Sequence, residues 1–476
     1  MDDRTVAIPI GELDEPTVRQ VLAETGTAAD IPAAVIALLR MPLHLALYVD
    51  MVGTLADLSQ VGSLEDLYRR YCDEKRRSCR EARGGIDDWQ KVVDVLVERM
   101  DSTQELWAPA ALLNDLHQQR DVMMSEGVLI REGTRIKFFH ETLFDHCFAE
   151  HLVARGQTLS SLLGSNDQDL FRRAQVRQVL TYRRSSDFSG YLADIDWLLT
   201  SPDIRAHLKV LVVALTQVIP DPTREEWGLL RPIAVDRSNL LHDRLWHALR
   251  RNPAWFPVID IAEWQEWLAS ADSLVVDRTV LVLAPMAATW SDESVALIRR
   301  LPQRASRDNS VRFFLQLADI HRGRALLELM LDAINAGLFE ADGTTTVWHT
   351  TRVVAAHEPV WAVELLEALV ARMLKRPEGT LTDSAFQASG PWSAQRGFGG
   401  EEAIATAARE APEDFADRLL PLAVELMRRH TRGHDGLGGP AFDEVWGVRH
   451  FESPQSLLDD LFAGLETSLA DGTDAT

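Results

Sequence analysis

From Asp14 onward, apolar positions recur at intervals of three and four, the spacing that lines up one face of an α-helix. Between Asp14 and Glu24 the side so formed carries Val18, Val21 and Leu22. Ala33 to Leu39 is apolar throughout, Pro42 stands early in the next element, and Leu43 to Val52 continues it. Proline is tolerated in a first helical turn because its missing N–H would find no intrahelical partner there. Ser63 is placed as an N-cap, with Leu64, Leu67, Tyr68 and Tyr71 following at helical spacing until Gly84 and Gly85 end the region. Asp87 to Met100 predicts an amphipathic helix with Trp89, Val92, Val93, Leu96 and Val97 on its buried stripe. Pro109 to Gln119 reads as a second helix and Arg120 to Ser125 as the close of a third.

Two segments break the helical period. Thr5 to Ile10 (TVAIPI) alternates like a short strand. A lone strand does not stand in water, so it is expected to pair with a distant part of the chain or to belong to a sheet whose remainder is absent, a first sign of truncation. After Gly127, the run Val128-Leu129-Ile130-Arg131, a turn at Glu132-Gly133-Thr134, and Arg135-Ile136-Lys137-Phe138-Phe139 predict a hairpin. Helices followed by a two-stranded ribbon describe a winged-helix unit, closed by a helix from about His140 to Arg155.

From Leu159 onward only helical patterns appear, separated by Pro, Gly, Asp or Ser breaks. They include Ser189 to Thr200, Ile204 to Ile219, Glu225 to Val235, Asn239 to Arg250, Ile261 to Ala269, Ser291 to Arg300, Arg324 to Ala336, Val360 to Lys375 and Pro412 to His430. Helix pairs without intervening strands point to an α-solenoid of antiparallel pairs. No strict repeat at a fixed period exists, so the array is HEAT-like or tetratricopeptide-like with its register open. Glu340 to Thr346 and the glycine-rich Gly390 to Gly400, expected as an irregular loop, interrupt it.

At 476 residues the chain exceeds one hydrophobic core, which argues for about three units or a repeat array. Its 46% hydrophobic and 25% charged residues are the balance of a folded globular protein. Lysine and arginine total 49 against 72 aspartates and glutamates, a net charge of -23 that repels polyanions, so no nucleic-acid partner is expected. The densest basic run, Lys75 to Arg83 (KRRSCREAR), reads as a solvated helix face. Three cysteines, Cys72, Cys79 and Cys147, offer no disulfide framework and suit a reducing compartment, which predicts the cytoplasm. The first residues lack the basic start and apolar stretch of a signal peptide. No run reaches the ~18 apolar residues of a membrane span, and Val210 to Val218 fits a buried helix, so no membrane partner is expected.

No Gly-Lys dipeptide exists, which removes the phosphate-cradling G-x-x-x-x-G-K-[ST] loop, and H-E-x-x-H, paired C-x-x-C, G-x-S-x-G and G-x-G-x-x-G are absent too. No catalysis by this chain alone is expected. His140, Cys147 and His151 share one helix face within roughly 20°, and Cys147 with His151 would suit a soft metal. Two ligands do not make a site, and Phe144 and Phe148 beside them favour a packing face. Thirteen tryptophans are spread through helical patterns, where core packing is expected and no aromatic cluster stands out.

The order of several stretches adds a further expectation. IPIGELDEPTVRQVL precedes a helix-break-helix ending LLRMPLHLALYV, then come SLEDLYRRYCDEKRR, the hairpin, and IKFFHETLFDHCFAEHLVAR. Together they resemble the second half of the nucleotide-binding module of STAND-class NTPases, the NACHT and NB-ARC proteins that include NOD-like receptors and many bacterial defence and signalling proteins. RMPLHLAL resembles the G-x-P motif of that module's helical lid, and FFHETLFDHCFAEHL resembles its winged-helix histidine motif, F-x-H-x-[ST]-F-x-[ED]-[FY]. Thr142 fits; Leu143 and Phe144 shift the aromatic by one, and Asp145-His146 replaces the acidic-aromatic pair. The resemblance implies a mainly α chain with the end of a nucleotide-binding core and helical lid over 1–83, a winged-helix domain over 84–155 and an α-helical solenoid sensor over 156–476.

In the family, the lid proline packs near the adenine and the winged-helix histidine reaches the β-phosphate of bound ADP, which implicates Pro42 and His140 as cofactor-binding residues. Walker A, Walker B and the first sensor are missing, because the chain begins where the last strand of that core would be. Without the lysine and the magnesium ligands, phosphoryl chemistry has no support. The isolated chain is thus expected to need no cofactor, ADP or ATP entering only in an assembly with an upstream nucleotide-binding half. Its partner would be a protein trigger or effector sensed by the helical array. A stand-alone α-solenoid adaptor is the rival. A winged-helix transcription regulator would need a basic recognition helix, and Pro109 to Gln119 holds Asp115 and His117 but no lysine or arginine, Arg120 alone following.

Overall fold

Capping and breaking residues decide where the chain turns. The structure, a computed structural model, describes residues 11–25, 31–52, 61–164, 168–339, 345–375 and 400–434. The strand expected over Thr5 to Ile10 lies outside them, as do the expected loop except Gly400 and the Glu340 to Thr346 interruption except Thr345 and Thr346, which open a helix. Among the described residues the protein is mainly α-helical, with 22 α-helices and one three-stranded sheet. None of these helices is long and apolar enough to cross a membrane. The chain divides into two compact units, Met1–Leu215 and Thr216–Thr476.

In the first unit, α1 (Glu15–Glu24) starts where Asp14 Oδ1 accepts the Thr17 N–H at 2.9 Å. Helices α2 (Ala33–Leu39) and α3 (Pro42–Met51) are separated by two residues, with Pro42 in the first turn of α3. Ser63 Oγ accepts the Asp66 N–H at 3.1 Å and opens α4 (Leu64–Ala82), which ends at Gly84 and Gly85, both at positive φ (63° and 98°). The stripe Trp89, Val92, Val93, Leu96, Val97 and Met100 of α5 (Trp89–Thr103) is buried as its spacing predicts.

The stretch after α5 corrects the sequence reading. Instead of a helix over Pro109 to Gln119, Ala108–Pro109 forms a two-residue strand, β1, followed by a 3-10 turn at Ala110–Leu113. One helix, α6 (His117–Ser125), then spans the join between the two expected helices. A strand this short has no period of its own to read; it exists because β3 (Arg135–Phe138) offers it a partner. The hairpin is as expected: β2 (Leu129–Glu132) pairs antiparallel with β3, Leu129 opposite Phe138 and Glu132 opposite Arg135, across a turn with Gly133 at φ 61°. The sheet order is β1-β3-β2. Arg135 lies 3.9 Å over the Trp107 ring.

Helix α7 (Glu141–Ala154) begins at His140, and α8 (Leu159–Gly164), α9 (Leu170–Ser186), α10 (Phe188–Thr200) and α11 (Ala206–Leu215) complete the unit. α9 packs on α7, α10 and α11. A buried ion pair, Arg183 Nη1 to Asp194 Oδ2 at 2.5 Å, joins α9 to α10, and Asp194 Oδ1 also accepts the Leu159 N–H at 3.1 Å where α8 begins.

The second unit is a succession of helices: α12 (Arg224–Val235), α13 (His242–Arg250), α14 (Ile261–Ala269), α15 (Ser273–Met286), α16 (Ser291–Arg299), α17 (Arg307–Leu317), α18 (Arg324–Ala336), α19 (Thr345–Ala355), α20 (Pro359–Leu374), α21 (Gly400–Glu410) and α22 (Pro412–His434). Its main contacts join each helix to the next or next but one: α12 to α13, α13 to α15, α15 to α17, α16 to α18, α18 to α20, α19 to α21 and α20 to α22. A reciprocal capping box, Thr223 with Glu226, opens α12.

Tryptophan packs into the core as expected, with Trp227, Trp246, Trp255, Trp264, Trp267 and Trp348 buried, but an aromatic cluster that the sequence did not show forms as well. Trp227, Trp246, Trp255, Trp264 and Trp267 make a continuous chain of ring contacts, with centroids 5.0 to 6.3 Å apart, and Phe256 stacks between Trp264 and Trp290. Most of the indole N–H groups are satisfied locally: Trp255 donates to the Thr216 carbonyl at 2.9 Å, Trp246 to Ala234 at 3.2 Å and Trp290 to Pro253 at 3.1 Å. Only Trp264 and Trp267 share a helix, three residues apart on one face. The other rings come from different helices and the turns between them, so spacing along the chain carries no sign of their meeting.

Candidate functional site

The two residues implicated by sequence, Pro42 and His140, open the helices α3 and α7. Extended backbone at His140 (φ -145°, ψ 148°) lets its own ring cap α7. Its Nδ1 accepts the Thr142 N–H at 3.2 Å and lies 2.9 Å from Thr142 Oγ1. Tyr68 OH on α4 approaches the same hydroxyl at 2.5 Å. One direction of donation satisfies all three groups: Tyr68 O–H to Thr142 Oγ1, and Thr142 O–H to His140 Nδ1. With Nδ1 accepting, the ring's proton belongs on Nε2, which has no hydrogen-bond partner among the described residues. Burial raises the Tyr68 pKa to about 12, which keeps the phenol a donor.

Pro42 enters this cluster through its neighbour. His44, in the first turn of α3, packs edge-on against the Tyr68 ring with centroids 6.5 Å apart, and its Nδ1 lies 3.0 Å from the Leu38 carbonyl. Burial lowers its pKa, and His140 lowers it further. The starts of α3 and α7 therefore meet around Tyr68.

Beneath lies a buried group that the sequence did not reveal. His146 stacks on Tyr68 (5.6 Å, 25°) and meets Tyr182 of α9 edge-on at 5.9 Å. Its Nδ1 is 3.4 Å from Glu65 Oε1, close enough for an ion pair but not aligned for a hydrogen bond, while Glu65 Oε2 accepts from Gln178 at 3.0 Å. Burial pulls the His146 pKa down; Cys72 and the Glu65 carboxylate outweigh it and raise it to about 10. Cys72 itself is held well above the usual thiol range by its contact with Cys147 and by burial, against the pull of His146. Asp145 is half-buried; desolvation and then Glu141 raise its pKa to about 7, against Arg177. The departure of Asp145-His146 from the family motif was the one available signal that something different sits here.

His140, Cys147 and His151 do not act together. His140 is engaged with Thr142, Cys147 is a buried free thiol, and His151 Nδ1 lies 2.7 Å from Asp94 Oδ1 of α5. Among the described residues no group of three or more histidines, cysteines or carboxylates is arranged to hold a metal. Along the basic run, Lys75 meets Asp50 at 2.8 Å, Arg76 meets Asp87 at 2.8 Å, Arg77 meets Glu74 at 2.7 Å and Arg83 meets Asp88 at 2.7 Å. Four of the five basic residues of the run are thus paired with carboxylates.

The cluster links the His140 ring to α4 through two hydroxyls, those of Thr142 and Tyr68. No family model matches the chain, and no curated protein matches it.

Proposed function

We propose that this chain is the regulatory and recognition part of a STAND-type signalling or defence switch, working in the cytoplasm. In that role the lid helices and a winged-helix unit gate a nucleotide-dependent state, and a solenoid of helix pairs recognises a protein trigger. The observation that carries it is the meeting of the starts of α3 and α7 around Tyr68, with His140 presenting an Nε2–H that has no partner among the described residues. A histidine donor poised between two elements can couple their closure to a bound phosphate. The next-neighbour packing of α12 to α22 supports the sensor role and equally supports a stand-alone adaptor.

The two differ in what nucleotide does. Isothermal titration of ADP and ATP is expected to show no micromolar binding to the chain alone, and ADP retention once a Walker-bearing nucleotide-binding half is supplied. His140→Leu should then lower ADP retention at least tenfold and release the closed state. Micromolar binding by the chain alone, or retention indifferent to His140→Leu, overturns the proposal.

A further inference from the structure

The second unit contains a cleft of about 290 Å³ bounded by α12, α13, α14 and α15. Its lining combines two kinds of surface. Trp246 and Trp267, edge to face at 5.0 Å, are joined by Ala234, Val235 and Val275 to make it apolar. Around them stand Arg231, Arg237 and Arg278, with Glu266 as the one lining carboxylate. What the cleft offers an anion is a set of guanidinium N–H donors rather than an excess of positive charge.

Each guanidinium is held from one side. Arg231 Nε donates to Glu263 at 2.8 Å, Arg237 Nη1 donates to Asp272, and Arg278 Nη2 meets Asp243 at 2.7 Å. Arg278 Nη1 donates to His242 Nε2 at 2.5 Å, and His242 Nδ1, 3.0 Å from the Ile233 carbonyl, must carry the ring's proton. A guanidinium has five N–H donors. Arg231 therefore keeps both terminal nitrogens, and Arg237 its Nε and Nη2, with no partner among the described residues. The anchoring carboxylates fix these forks in place, which lowers the entropy lost when an anion binds. Val235, which lines the cleft, is 56% exposed.

The geometry points to a binding site for a small aromatic carboxylate, its ring against Trp246 and Trp267 and its carboxylate on the Arg231 and Arg237 forks. Planar carboxylates match a guanidinium edge bidentately. Pockets for drug-sized ligands occupy about 300–1,000 Å³, so a cleft of about 290 Å³ suits a ligand of one or two rings. The site is independent of the nucleotide switch proposed above.

Phenylacetate is the probe, followed by tryptophan fluorescence and by calorimetry on the full chain. Saturable binding is expected, at least tenfold weaker for the uncharged phenylacetamide and for inorganic phosphate, which lacks the ring. The double variant Arg231→Ala with Arg237→Ala should weaken phenylacetate at least tenfold. Val235→Trp, which fills the cleft mouth and leaves the arginines in place, should abolish binding, so the test survives if the arginine variant misfolds. No saturation by about 10 mM, equal binding of phenylacetamide or phosphate, or unchanged affinity in Val235→Trp overturns the assignment.

Discussion

His146 and Asp145, adjacent in sequence, titrate in successive windows. Each has a folded pKa raised above its unfolded value, so each contributes stability that is full below the unfolded value and lost as pH rises through the folded one. For Asp145 that window runs from 3.8 to about 7, and for His146 from 6.5 to about 10. The Asp145 side is the simpler to test, because at alkaline pH the cost is that of a charge held away from water. Asp145→Asn is expected to stabilise the protein by about 1–2 kcal/mol at pH 8 and to leave it unchanged at pH 4, read as a shift in the thermal midpoint. A variant equally stabilised at both pH values would sink that account. Little of this was legible in the sequence. The helical period put Tyr68 on a buried face, but a period names the face and not the partner, and Thr142 lies 74 residues further on.

At the scale of elements, the chain announces its beginnings better than its company. Asp14, Ser63 and Pro42 mark helix starts by chemistry that acts within one turn, so they can be read directly. The short strand at Ala108–Pro109 and the division of 109–125 depend on β3, and local pattern misplaced them. Ser63→Ala should cost about 1 kcal/mol, measured by urea unfolding; an unchanged midpoint would mean that the Asp66 N–H finds another acceptor. The larger effect belongs to Asp194. Removing it leaves Arg183 buried without its carboxylate and the Leu159 N–H without an acceptor, for an expected loss of about 3–5 kcal/mol. Arg183→Met combined with Asp194→Leu should recover most of that loss, since an apolar pair of similar volume dispenses with both desolvated charges. If the double variant is as unstable as Asp194→Ala, the hydrogen bond to Leu159 is the stronger element.

For the whole molecule, amphipathic periodicity made the mainly α character legible, whereas the gathering of five indoles was not, because it depends on how successive helices lean together. Next-neighbour packing through the second unit gives it contacts of short sequence separation, the condition for fast folding. A fragment beginning at Thr216 is expected to retain its helical circular dichroism and a cooperative melt; a fragment with coil-like dichroism would show that the unit is not autonomous. The one sheet among the described residues has a different consequence. Strands with free edges recruit other chains, and proteins resist this with short edges, proline and charge. Here one edge is two residues long and ends in Pro109, and the other presents Arg131 and Glu132 to solvent. Both edges carry such guards, although Ile130 is also exposed on the second, so crowding many copies together should not readily zip them into cross-strand aggregates through this ribbon.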